Sequence, residues 1–134
     1  MIDHIATCRC GQFSATCQGD PVRVSVCHCL NCQKRSGSAF AVQARWPEDK
    51  VALGGASREW SCVSDTGNLA HFRFCPDCGS TVAFASEGVP GFVTVAVGAF
   101  ADPQFPRPMI SIYEERKHDW VAVLGDEVEH WSDV

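Results

Sequence analysis

A chain of 134 residues with 46% apolar composition has material for one hydrophobic core and little room for a second, so a single domain over residues 1–134 is expected. The net charge of −5, with no basic run longer than Lys34-Arg35 or Arg116-Lys117, argues against nucleic acid as the main partner, because binding there rests on neutralising phosphates. The start, MIDHIATCRCG, lacks the apolar run of a signal peptide, and the stretch around Phe92 to Ala101 falls short of the ~18–20 residues of a membrane helix, so a soluble, cytoplasmic protein without a membrane partner is expected.

In chain order, the first feature is a pair of cysteines, Cys8 and Cys10, in TCRCGQF. A strand-like run from Val22 to Val26 leads into VCHCLNC, where Cys27, Cys29 and Cys32 fall close together, and Leu30 to Arg35 reads as one helical turn. Alternating or β-branched runs then predict strands over Ala39 to Trp46, Glu59 to Val63 and Ala70 to Phe74. FCPDCGS brings Cys75 and Cys78, and further strands are expected over Thr81 to Ala85, Phe92 to Val97 and Met109 to Tyr113. Pro103, Pro106 and Pro108 mark a loop, and Glu114 to His118 is expected to make a helical turn. Trp120 to Leu124 and Glu127 to Trp131 flank Gly125-Asp126 and are expected to pair as a terminal hairpin. The sum is an all-β, mainly antiparallel domain with little helix, no repeat and no linker.

Nine cysteines must be explained by disulfides or by metal, and their spacing favours metal. In FCPDCG, two cysteines separated by two residues, with proline after the first and glycine after the second, read as a zinc knuckle that aims two sulfurs at one ion. A knuckle supplies half a tetrahedron, and TCRCG is the natural donor of the other half. Cys8, Cys10, Cys75 and Cys78 would then close a structural site. That leaves Cys27, Cys29 and Cys32 as three thiolates with an open fourth position, the pattern of a zinc that acts on something. Two alternatives stand: the pairs exchange partners, for instance Cys27 and Cys29 with Cys75 and Cys78, or His28, Cys17 or Cys62 closes the second site. His28 lies between two ligands, so in extended chain it points away from them and reads as a surface group or a support for the ligands. Cys17 and Cys62 read as small buried apolar residues, with a mutual disulfide as the alternative.

Zinc with three thiolates carries net negative charge, which disfavours ionising water but suits a fourth, soft sulfur ligand. A sulfur-containing substrate is expected, with Lys34 and Arg35 placed to offset the added charge or to bind a substrate carboxylate. His4, His71, His118 and His130 read as scattered surface or strand histidines, and Trp46, Trp60, Trp120 and Trp131 as residues of the core or its rim. Neither a glycine-rich phosphate loop nor a G-x-S-x-G elbow is present.

The order CxC, then CHCxxC with a basic pair and SGSAF, then FCPxCGS, resembles the glutathione-dependent formaldehyde-activating enzyme family, also called the centromere protein V-like domain. The C-terminal WVAVLGDEVEHW looks like the family's tryptophan-bearing tail. The resemblance implies a β-rich, Mss4-like fold and two zinc ions per chain, the second site open to partial occupancy. One ion is expected on Cys8, Cys10, Cys75 and Cys78, the other on catalytic Cys27, Cys29 and Cys32. It also implies a carbon–sulfur lyase type of activity that joins formaldehyde and glutathione into S-hydroxymethylglutathione and reverses that step, so the expected partner is a small thiol or thiol adduct. A competing expectation is a zinc-stapled β module for protein interaction, which would need no open ligand position.

Overall fold

The computed structural model describes residues 2–133. In chain order the strands are β1 (Asp3–Thr7), β2 (Ser14–Gln18), β3 (Arg23–Cys27), β4 (Ala41–Pro47), β5 (Val51–Gly54), β6 (Arg58–Val63), β7 (Leu69–Phe74), β8 (Thr81–Ser86), β9 (Phe92–Ala96), β10 (Ile110–Ile112) and β11 (Glu129–His130); the α-helix α1 (Leu30–Ser36) lies between β3 and β4. They form two sheets, a small one in the order β1-β2-β5 and a large one in the order β11-β10-β3-β4-β9-β8-β7-β6. Every pairing is antiparallel except the two made by β10, which runs parallel to β3 and to β11. The mostly β, Mss4-like architecture expected from the sequence is present.

The two sheets face each other across one core. Alternation along the strands sends Ala6, Ala15 and Cys17 inward from the small sheet and Val24, Ala44, Trp46 and Val95 inward from the large one. Trp46 is the largest fully buried side chain, packs against Phe100 and Phe105, and donates its indole N–H to the Gly19 carbonyl at 3.0 Å. Truncating such a residue to alanine costs about 3–5 kcal/mol. The sheets are also held at their ends. Gly55 (φ +84°) lies so close to the Gln12 carbonyl that a Cβ would sit 1.7 Å from it, so β5 can end against the β1–β2 turn only with glycine there.

Several elements depart from the sequence reading. β1, β2 and β5 are strands beyond the sequence reading; β1 and β2 turn His4, Ala6, Ala15 and Cys17 inward, residues of weak β preference, β5 is only four residues long with Val51 alone turned to the core, and packing against the larger sheet decides them. The terminal hairpin does not form. Residues 120–124 adopt no regular structure, and Val121 instead packs inward on a strap that crosses Val26, Phe40 and Val42, while Glu129–His130 extends the large sheet as a parallel edge strand. Of the four tryptophans only Trp46 is core; Trp60, Trp120 and Trp131 are exposed.

Candidate metal centres

The β1–β2 turn carries Cys8 and Cys10, and the β7–β8 turn carries Cys75 and Cys78. Their four sulfurs lie within 4.8 Å of one another. The Cys8–Cys10 and Cys10–Cys75 sulfur distances are 3.6 and 3.7 Å. A tetrahedral zinc with Zn–S bonds of ~2.3 Å has an edge of ~3.8 Å, whereas a disulfide would bring two sulfurs to ~2.05 Å, so the spacing is that of metal ligands. The donors around the cluster also favour thiolates. Phe13 N–H donates to Cys8 Sγ at 3.3 Å, and Asp77 and Cys78 N–H both donate to Cys75 Sγ at 3.4 Å. Gln12 Nε2 donates to Cys75 Sγ at 2.9 Å and to Asp77 Oδ2 at 2.7 Å, which ties one turn to the other. The Ser80 hydroxyl first, and nearby backbone N–H groups after it, hold the Cys78 thiol down to about 5. Gly79, at φ +80°, turns the chain back so that its N–H reaches the Cys75 carbonyl.

The second cluster is built from one continuous segment. Cys27 ends β3, Cys29 caps the start of α1 by accepting the Cys32 N–H at 3.2 Å, and Cys32 sits in the helix's first turn. Their three sulfurs also lie within 4.8 Å of one another, and no fourth Cys, His, Asp or Glu joins them among the described residues. Hydrogen bonding from Cys27 and then Cys32 holds Cys29 well below the usual thiol range. Hydrogen bonding with Cys29 in turn pushes Cys27 far above it, so the apo set shares its protons until a cation neutralises it.

Cys17 and Cys62 join neither cluster and both are free thiols. Burial pushes Cys17 up to about 12, the behaviour of an inert core residue, while Cys62 is half-buried on the edge strand β6.

His28 points away from the sulfurs, as extended geometry requires, but it is not a surface residue. It is fully buried behind the cluster, with Nε2 2.8 Å from Ser111 Oγ. Gln33, overlooked in the sequence, fixes the wall of this site. Its Nε2 donates to the carbonyls of His28 (2.9 Å) and Arg116 (3.2 Å), and its Oε1 meets His118 Nε2 at 2.9 Å, so helix and C-terminal strap are laced together. Asn31 reaches the β6–β7 turn through Asp65 Oδ1 at 2.9 Å. Of the basic pair, Arg35 lies over the rings of Phe84 (4.6 Å) and Phe72 (5.8 Å), and Lys34 is exposed. The remaining histidines belong to surface pairs or to the strap: His4 with Asp20, His71 with Glu59 and Glu87, His130 with Glu114.

Two facing β-sheets that carry one four-sulfur and one three-sulfur cluster define a cysteine-clustered β protein with two centres able to hold metal. More narrowly, the chain belongs to the glutathione-dependent formaldehyde-activating enzyme family, whose model matches residues 3–116 and so spans both clusters. The fold is similar to that of a crystal structure of a Rhodobacter sphaeroides protein, which aligns over 95% of this chain and 98% of that chain with a TM-score of 0.57 and 19% identity. No curated protein matches the chain. Among the described residues no helix is long and apolar enough to cross a membrane.

Proposed function

We propose that the protein is a zinc-dependent carbon–sulfur lyase-like enzyme that makes and breaks the adduct of a thiol with an aldehyde, such as S-hydroxymethylglutathione. Family membership supports the glutathione and formaldehyde chemistry, and the observation that carries the reading is the contrast in donor number, four sulfurs in one cluster and three in the other. All-thiolate donor sets at these spacings fit zinc. Cys8, Cys10, Cys75 and Cys78 would hold one ion as a closed structural site, and Cys27, Cys29 and Cys32 a second that keeps one position free. When bound there, zinc supplies Lewis acidity that favours the thiolate form of a substrate thiol.

The chain's own residues do the rest. The capped turn of α1 fixes the Cys29 and Cys32 sulfurs, and Gln33 holds that turn against the C-terminal strap. Arg35, steadied by its two aromatic rings, offsets negative charge at the site, with Lys34 nearby at the surface. In the forward reaction the substrate sulfur forms a bond to the aldehyde carbon, the carbonyl π pair moves to oxygen, the thiol gives up its proton and the alkoxide takes one up. The reverse cleaves the same carbon–sulfur bond. Nine free cysteines suit a reducing compartment such as the cytoplasm. A protein-binding module would have no use for an incomplete donor set, so the enzyme is favoured over that reading.

Magnetisation-exchange NMR between formaldehyde and its glutathione adduct tests this. The protein loaded with two zinc ions is expected to accelerate exchange, and a rate equal to the uncatalysed one would sink the substrate assignment.

A further inference from the structure

The face of the large sheet turned away from the small sheet holds an arrangement that the reaction proposed above does not use. Inward positions on β3 and β4 are Val24, Ala44 and Trp46, so Arg23 and Arg45, which alternate with them, stand on the opposite face. The two arginines are direct partners in the β3–β4 register, and Thr94 of β9 is the next partner in the same row. Like charges opposed in this way repel and weaken the pairing that carries them. The strands around them offer no counter-charge. In a chain with 16 acidic residues, β3, β4 and β9 contain no Asp or Glu, and neither arginine forms an ion pair among the described residues.

Both side chains are half-buried, so water screens the repulsion only in part. Burial first, and the charge of Arg23 second, lower Arg45 from the usual guanidinium value. Arg45 lies over the Phe92 ring at 5.9 Å, which occupies one face of the guanidinium and leaves its N–H edge for hydrogen bonding. Arg23 Nε is buried without a hydrogen-bond partner. The same holds for Oε1 of Gln43, which shares the face of Arg45 and sits diagonally from Arg23 across the β3–β4 ladder. Buried donors and acceptors left unmatched carry a desolvation cost that a bound ligand can relieve. The chemistry of such a ligand follows from the groups themselves. It brings negative charge and acceptor oxygens to the guanidiniums, and a proton to the Gln43 carbonyl.

We propose that Arg23, Arg45 and Gln43 form a binding site for an oxyanion that keeps a proton, with hydrogen phosphate as its type. The guanidinium N–H groups donate to phosphate oxygens, and the phosphate P–OH donates to Gln43 Oε1. Sulfate has the same shape but no proton at neutral pH, so it leaves that acceptor unmatched. Arg23 lies four residues before Cys27 on β3, about 13 Å at the rise of an extended strand, so this is a second site and stands independently of the reaction above. Bound phosphate also cancels the repulsion between β3 and β4, and so stabilises the strand pair that carries Cys27.

The test uses the full chain loaded with zinc and freed of excess metal, in chloride buffer at pH 7. Calorimetry with inorganic phosphate is expected to show one site per chain, with sulfate about tenfold weaker because one hydrogen bond to a buried acceptor is lost. Arg23→Gln and Arg45→Gln are each expected to weaken phosphate about tenfold. Without phosphate, both variants are expected to melt above the wild type, since the repulsion is gone, whereas added phosphate is expected to raise the wild type's melting temperature more than theirs. Gln43→Met is expected to retain binding and bring sulfate to parity with phosphate. Absence of saturable phosphate binding by the wild type, or binding that both arginine variants keep at full strength, overturns the inference. So does displacement of phosphate by S-methylglutathione, a thiol-blocked form of the substrate named above, which would assign the arginines to the substrate instead. None of these outcomes bears on the exchange reaction.

Discussion

The two cysteine clusters offer the same ligand chemistry, and they differ in how much chain each one closes. Cys10 and Cys75 touch across 65 positions of sequence, and their cluster joins the small sheet's first turn to the large sheet's knuckle. Cys27, Cys29 and Cys32 belong to a single strand-to-helix corner. Cross-linking a loop of that larger size removes on the order of 4 kcal/mol of chain entropy from the unfolded state, against about 2 kcal/mol for a loop of a few residues. A metal at the first site would thus hold sheets together, whereas the second already has its corner built by β3 pairing and helix capping and, on the function proposed above, would leave a coordination position to substrate. Closure goes with distance in the chain, and openness with local geometry.

The sharpest test of that contrast is a pair of serine substitutions. Cys75→Ser is expected to unfold the domain or leave it aggregated, with zinc content below one ion per chain and no cooperative melt by circular dichroism, since structural zinc contributes about 10 kcal/mol or more to folding. Cys29→Ser is expected to abolish exchange activity and lower zinc to one ion per chain while the melting transition stays cooperative. Unfolding of both variants alike would erase the distinction between the clusters.

A smaller effect is expected from the two glutamines. Gln12→Ala removes the donor shared by Cys75 and Asp77 and should weaken zinc retention at the closed site about tenfold, read by competition with a chelator. Gln33→Ala should instead loosen α1 from the strap, lowering activity with little change in zinc retention at the four-cysteine site.

The smallest effect lies away from both clusters and serves as a control. The Glu87 hydrogen bond, joined by Glu59, raises His71 above its ordinary value despite some desolvation. Its stabilisation is therefore fully present below the unfolded pKa of ~6.5 and is lost as pH rises through the higher folded value. His71→Gln should flatten that part of the melting-temperature profile to the same degree whether or not the three-cysteine site is loaded.

The cluster membership was legible because each half is encoded locally. CxC and CxxC spacings with a following glycine specify turns that aim sulfurs together and made the observed grouping the favoured one, while an exchange of partners between the pairs stayed open until the sulfurs were located. The strands richest in Val, Phe and Ile were legible for the same local reason, and Leu30 to Arg35 proved one residue short of the helix that Gly37 terminates at φ 67°. What escaped was set by partners distant in sequence. β1 and β2 present mostly small residues to the core, and only the facing Trp46 and Val24 make those positions strand-like. The terminal hairpin looked sound in isolation, but Val121 is the buried residue of the strap, and Glu129 finds a ladder on β10 instead. Gln33 carried no pattern of its own, although its place directly after Cys32 was a usable hint.

The parallel strand β10 has a consequence for how the molecule is made. Cys27, Cys29 and Cys32 leave the ribosome well before Cys75 and Cys78, and β4 can pair with β3 soon afterwards. The other edge of β3, however, is covered only by residues 110–112, and His28 gains its Ser111 partner from the same short strand. The three-cysteine corner is therefore translated in full before the four-cysteine cluster, yet a nascent chain carries it as an exposed trithiol until residues 110–112 have emerged.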